Sequence, residues 1–198
     1  SVRTDARFVK LQEALAAKAA AHPGLVAFAQ TTERRSVRVL WFDKKGSPGE
    51  IALDFGPVPW NDEYEQALAA GKFKDKKWRL GGDFWTTLDN SMPLRIAGVA
   101  IPAGYWYLTL ERRGENEFVL GVHDPAAVKK LHIDPYRAEQ VTGGIEVPLQ
   151  HHVAVTPHAQ LAIGIAMPIG ELAKGTFAIG FGGHELTGAV DIDLPEAR

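Results

Sequence analysis

The chain has 198 residues, 45% of them hydrophobic and 23% charged, which suffices for one sizeable core and is ordinary for a globular protein. A formal charge of -2 removes the electrostatic case for a nucleic-acid partner, since such proteins carry a basic excess. The absence of cysteine excludes disulfides, zinc–thiolate sites, iron–sulfur clusters and a cysteine nucleophile.

Residues 4–22 read as a helix. Thr4 is a suitable N-cap, Asp5 suits the first turn, and Pro23-Gly24 ends the run. Phe8, Leu11 and Leu15 share one face, so this helix is expected to dock through them, either on its own domain or on a partner chain. The chain starts at Ser1, which reads as a processed terminus left by signal-peptide removal; a trimmed expression boundary looks the same. A periplasmic or extracellular location is the resulting expectation.

Residues 36–42 alternate through Val37, Val39 and Trp41, and residues 51–55 through Ile51, Leu53 and Phe55. The turn-forming stretch between them predicts a hairpin. Pro57 and Pro59 make residues 56–60 irregular. A short helix is predicted near 61–70, capped by Asn61 or Asp62, with Tyr64 and Leu68 inward. Lys72 to Arg79 carries five basic residues and reads as a solvated turn.

Residues 77–110 hold Trp78, Trp85 and Trp106 and two Gly-containing turns, and read as the centre of an antiparallel sheet. Trp106, Leu108 and Leu110 pair by pattern with Phe118, Leu120 and Val122. Residues 124–144 are the least regular stretch, with one helical turn at 126–131. Ile145 to Val153 reads as an edge strand interrupted at Pro148. Further strands follow at Leu161–Met167, Phe177–Phe181 and Leu186–Leu194, with Gly182-Gly183-His184 turning the chain. The fold expected is mainly β: an antiparallel β-sandwich, or a flattened barrel, forming a single domain over 1–198. Residues 1–34 supply the helix and lead-in, and residues 35–198 the core.

Chemistry is less legible. None of the four serines lies in a G-x-S-x-G elbow, and no glycine-rich loop precedes a helix. Asp62, Glu63, Glu65, Asp83 and Asp89 offer carboxylates, but nothing marks an acid–base pair. The seven histidines form no H-E-x-x-H motif. His151 and His152 are adjacent and so face opposite sides of a strand. His123 and His184, each beside an acid at a strand end, are the weak metal candidates, and no cofactor is implied. The long uncharged runs are broken by Gly and Pro and alternate in polarity, so no transmembrane segment is expected. Trp60, Tyr64 and Trp78 flank irregular segments and form a candidate aromatic platform for a glycan or another protein subunit. Arg79 beside them is within reach of Asp62 or Glu63 in this reading.

Five stretches carry a family resemblance: DFGPVPWNDEY at 54–64, KWRLGGDFWTTL at 77–88, LRIAGVAIPAGYWYLTL at 94–110, FVLGVHD at 118–124 and FAIGFGGHELTGAVDIDL at 177–194. Together they resemble the bacterial family catalogued as domain of unknown function 2911. The resemblance covers about residues 36–194 and implies an exported, mostly β protein with no assigned activity. It therefore carries no catalytic residues over. The functional expectation is an exported, non-enzymatic binding or accessory module of the cell envelope, a subunit of a larger assembly. The alternative is a hydrolase or metal-dependent enzyme acting on a small molecule or glycan.

Overall fold

The computed structural model describes residues 32–44 and 46–194. The chain divides into two units, 1–31 and 32–198, and the described residues all belong to the second. The helix expected over 4–22, with its docking face Phe8, Leu11 and Leu15, lies outside the described residues.

The described residues form ten strands, all paired antiparallel. In chain order they are β1 (Arg35–Asp43), β2 (Gly46–Phe55), β3 (Lys77–Arg79), β4 (Thr86–Asn90) and β5 (Leu94–Ile96). Then come β6 (Val99–Ile101), β7 (Gly104–Arg112), β8 (Phe118–His123), β9 (Ile145–Ala166) and β10 (Lys174–Ile192). Helix α1 (Asp62–Ala69) follows β2, and α2 (Pro125–Lys130) with a 3₁₀ turn (Pro135–Gln140) follows β8. The hydrogen-bonded order is β1-β2-β4-β7-β8-β9-β10-β5-β6, with β3 added beside β4 on β7.

Two long strands fold this sheet over into two layers. Residues 145–149 of β9 pair with β8, while residues 150–166 pair with β10. The end of β10 then pairs with β5. Leu53, Leu88, Leu108 and Leu120 of the first layer thereby share one buried cluster with Ile96, Ile163, Ile179 and Leu186 of the second. Fully burying each such side chain stabilises the fold by roughly 1.5–3 kcal/mol. The sheet does not close into a barrel, so the sandwich describes the fold and the flattened barrel does not.

Three expectations are corrected. Residues 145–153 are not an edge strand but the first part of β9; Pro148 falls where β9 pairs on one side only, which tolerates its missing N–H. Gly182-Gly183-His184 does not turn the chain: β10 runs through it, shifting register between Gly180 and Gly182 and again before His184. Residues 77–79 are not part of a solvated turn but pair with residues 109–111 as β3.

The irregular stretch at 124–144 has a structural job. It covers the outer face of the first layer, where Trp85 and Tyr107 stack at 5.0 Å and pack with Val128, Ala138 and Val141. Both faces of β8 are therefore covered, and all six of its residues are buried. Trp85 is buried in this second cluster. Trp106 is half-buried and donates its indole N–H to Asn90 Oδ1 at 3.1 Å.

Candidate functional site

The stretch after β2 and the stretch after β3 are pinned to each other. Gly82 N–H donates to Gly56 O at 2.9 Å, and a Cβ on Gly56 would collide with the Gly82 backbone. Only glycine permits that approach. The pinning sets residues 58–60 and 78–81 against one another. Across the gap, residues 58–60 are held to β9 by Trp60 N–H to Ala159 O (2.9 Å) and Leu161 N–H to Val58 O (2.8 Å).

Helix α1 forms the next wall. Asn61 caps it, its Oδ1 accepting from Tyr64 N–H at 3.0 Å, and Asp62, Glu63 and Glu65 lie in the first turn where the helix dipole favours acids. Leu68 is the buried residue of the helix. Tyr64 stays 37% exposed.

These walls border a half-open cavity of about 230 Å³. It is lined by the rings of Trp60, Tyr64, Phe73, Trp78 and Phe181, with Leu68, Leu80, Leu110 and Leu161 completing an apolar surface. Trp60 stacks on Tyr64 (5.2 Å between centroids, 23° between planes) and leans on Phe181 (4.9 Å). Phe73 meets Trp78 edge-on at 4.7 Å. Gly182, at φ +51°, leaves the space that the Trp60 indole occupies; a Cβ there would strike Trp60 Nε1.

Trp60, Tyr64 and Trp78 come together as part of the lining of a concavity, where an exposed platform was the expectation. Arg79 borders the same cavity, and strand alternation directs its side chain the opposite way from Trp78. The guanidinium lies 4.0 Å over the Tyr136 ring and donates to Asp83 O at 3.4 Å. Among the described residues it makes no ion pair with Asp62 or Glu63.

A polar chain runs beside the cavity. Trp60 Nε1–H donates to Glu65 Oε2 at 2.9 Å, and Glu65 Oε1 lies 3.0 Å from His184 Nε2. A carboxylate only accepts, so His184 Nε2 carries a proton toward Glu65. Its Nδ1 lies 3.0 Å from His151 Nε2, close enough for one of the two nitrogens to donate to the other. Trp60 foremost, then His184, holds the Glu65 carboxyl below the usual range. Burial pushes the His151 pKa down, reinforced by His184, His152 and Arg112. The sequence marked no pairing for Glu65 or His151. His184 links them, which depends on β9 and β10 lying side by side, and no local pattern reveals that.

His123 and His184 do not meet as a metal pair. His184 belongs to the chain just described, whereas His123 faces the opposite side of the first layer. His123 is 3% exposed, with Nε2 2.9 Å from Thr109 Oγ1. Gly121 leaves the room for that contact. Its Nδ1 is buried without a hydrogen-bond partner, and burial foremost, then Lys77, lowers its pKa to about 4. Among the described residues no three His, Asp or Glu side chains are arranged to hold a metal ion. His151 and His152 do face opposite ways, His152 Nε2 meeting Thr187 Oγ1 at 3.0 Å. Among the described residues no helix is long and apolar enough to cross a membrane. Compared with known proteins, the chain matches no family model, no curated protein and no solved structure.

Proposed function

We propose that this chain is a binding module without catalytic chemistry, and that its site is the aromatic cavity beneath α1. The observation that carries the reading is the convergence of five aromatic rings on one apolar cavity of about 230 Å³. An apolar cavity of about 150 Å³ binds benzene, and pockets for drug-sized molecules begin near 300 Å³. The ligand class is therefore a small neutral apolar molecule: one or two fused rings, or a short alkyl chain.

A sugar fits less well, because it needs several polar partners beside its aromatic platform. A hydrolase needs ionisable groups aimed at bound substrate. Here Glu65 and His184 are committed to Trp60, to His151 and to each other. Export to the cell envelope, membership of the family catalogued as domain of unknown function 2911, and service as a subunit of a larger assembly complete the proposal. These rest on the resemblance of residues, not on the cavity.

The test is a titration of the full chain with 5-fluoroindole, followed by fluorine NMR. Binding is expected, and Val58→Phe, which projects into the cavity, should abolish it while leaving the fold intact. No change in the fluorine line at millimolar probe would end this reading.

A further inference from the structure

The wall that closes the cavity is weakly anchored. Helix α1 has eight residues and one buried side chain, too little to persist unaided. Its C-terminal end is fixed by Leu68 and by Arg112 Nη1, which donates to Leu68 O at 2.6 Å. Its N-terminal half is tied by the Tyr64 stack on Trp60 and by Glu65, to Trp60 and His184. Behind His184 stands His151, on the neighbouring strand: His184 lies opposite Val153 and His151 opposite Leu186, a diagonal pair on one face.

Resting on the cavity reading above, we propose that the His151–His184 pair is a proton-operated latch on α1. It holds the cavity closed around its ligand while at most one of the two rings is charged, and releases α1 when both are.

The geometry of the N–H···N contact dictates this behaviour. With both rings neutral, His151 Nε2–H meets the His184 Nδ1 lone pair. One added proton is accommodated: His184 becomes an imidazolium facing Glu65, and His151 shifts to the tautomer whose Nε2 accepts. A second proton leaves two N–H groups aimed at each other across 3.0 Å, on two rings of like charge.

Glu65 from α1 and Arg112 from β7 are the charged groups facing the pair, and His152, on the opposite face of β9, acts on His151 only through its charge. Glu65 compensates a charge on His184 and not one on His151. His151 packs against the Phe118 ring at 5.5 Å, and His184 against Phe181 at 5.3 Å. Both histidines sit on long paired strands, so the strain is relieved at the least anchored neighbour, which is α1. Burial foremost, then His184, disfavours the charged form of His151 in this arrangement, in keeping with the cost of a second proton.

The test uses the full chain and the same neutral probe, whose own charge does not change in this range. For the wild-type protein the binding of 5-fluoroindole should weaken as the pH falls from neutral to about 5, read as a rise in Kd. In His151→Gln, which keeps an N–H aimed at His184 but takes up no proton, the dependence should flatten. Equal pH dependence in both proteins overturns the latch. So does binding to the wild type that ignores pH.

Amide hydrogen exchange decides the matter without a ligand. Protection across residues 62–69, corrected for intrinsic rates, should fall on acidification relative to β7 in the wild type. If α1 and β7 keep a constant ratio, the latch is wrong even where the probe binds. If the probe binds at no pH while α1 still loosens on acidification, the latch holds and the cavity reading fails.

Discussion

His123 offers the sharpest test of how burial sets the energetics of this fold. Its imidazole is 3% exposed, and its pKa falls from an ordinary 6.5 to about 4. The unfolded chain therefore takes a proton at this position before the folded chain does. Stability is fully present above 6.5, declines as pH drops through the window, and is lost completely below about 4. At 1.36 kcal/mol per pKa unit, the loss due to this one residue is about 2 kcal/mol near pH 5 and about 3 kcal/mol near pH 4.

The assay is urea unfolding at several pH values, monitored by tryptophan emission, on wild type and His123→Gln. Gln retains an amide that can meet Thr109 Oγ1 but cannot take up a proton. Glu65, Glu146 and Glu171 are all held below their ordinary 4.5, so they stay ionised through most of the window. His151 titrates in both proteins and cancels in the difference. The wild-type curve should fall away from that of the variant as pH decreases from 7 to 5. Parallel curves, or an NMR titration of His123 centred near 6.5, would refute the reasoning.

Other perturbations probe the core and the cavity separately. Phe177→Ala removes a ring that is 1% exposed and should cost about 3–5 kcal/mol by denaturant unfolding. Trp60→Phe preserves the stack on Tyr64 but deletes the indole donor; the Glu65 pKa, followed by NMR, should rise toward the ordinary carboxylate range. The stability change there should stay below about 1 kcal/mol, because the Glu65 side chain is half exposed. Gly182→Ala places a Cβ where the Trp60 indole sits, on a left-handed backbone at φ +51°. It should cost about 1–3 kcal/mol and displace Trp60, seen as a red-shifted, quencher-accessible emission.

Strand parity was legible wherever one face met the core. Leu108 with Leu110, Phe118 with Leu120, and Ile163 with Ile165 are all buried on the side their alternation indicated. The pattern misled where a residue serves two neighbours in turn. Gly182-Gly183 carries the composition of a turn, yet at Gly182 glycine is needed because the Trp60 indole packs against the strand there. Composition reports that a backbone must be free of side chains; it does not report whether the chain reverses. Pro148 misled in the same way, since an unpaired strand side arises at a sheet's edge and equally where one strand passes between two layers.

The site divides along the same line. Trp60 and Tyr64 are four residues apart, and Trp78 follows a break in pattern, so sequence spacing alone brought them under suspicion. Phe181 and His184 reach the same place from a strand more than a hundred residues further on, and His151 from another. Their meeting is a consequence of one long antiparallel pairing and its two register shifts between Gly180 and His184. A shift of one residue in that ladder would exchange His184 for Glu185 on the inner face. Glu65 would then face a carboxylate in place of an imidazole, and two like charges would replace the link that holds α1. The bulges at Gly180–His184 are therefore part of the site as much as the rings are, because they decide which side chain meets Glu65.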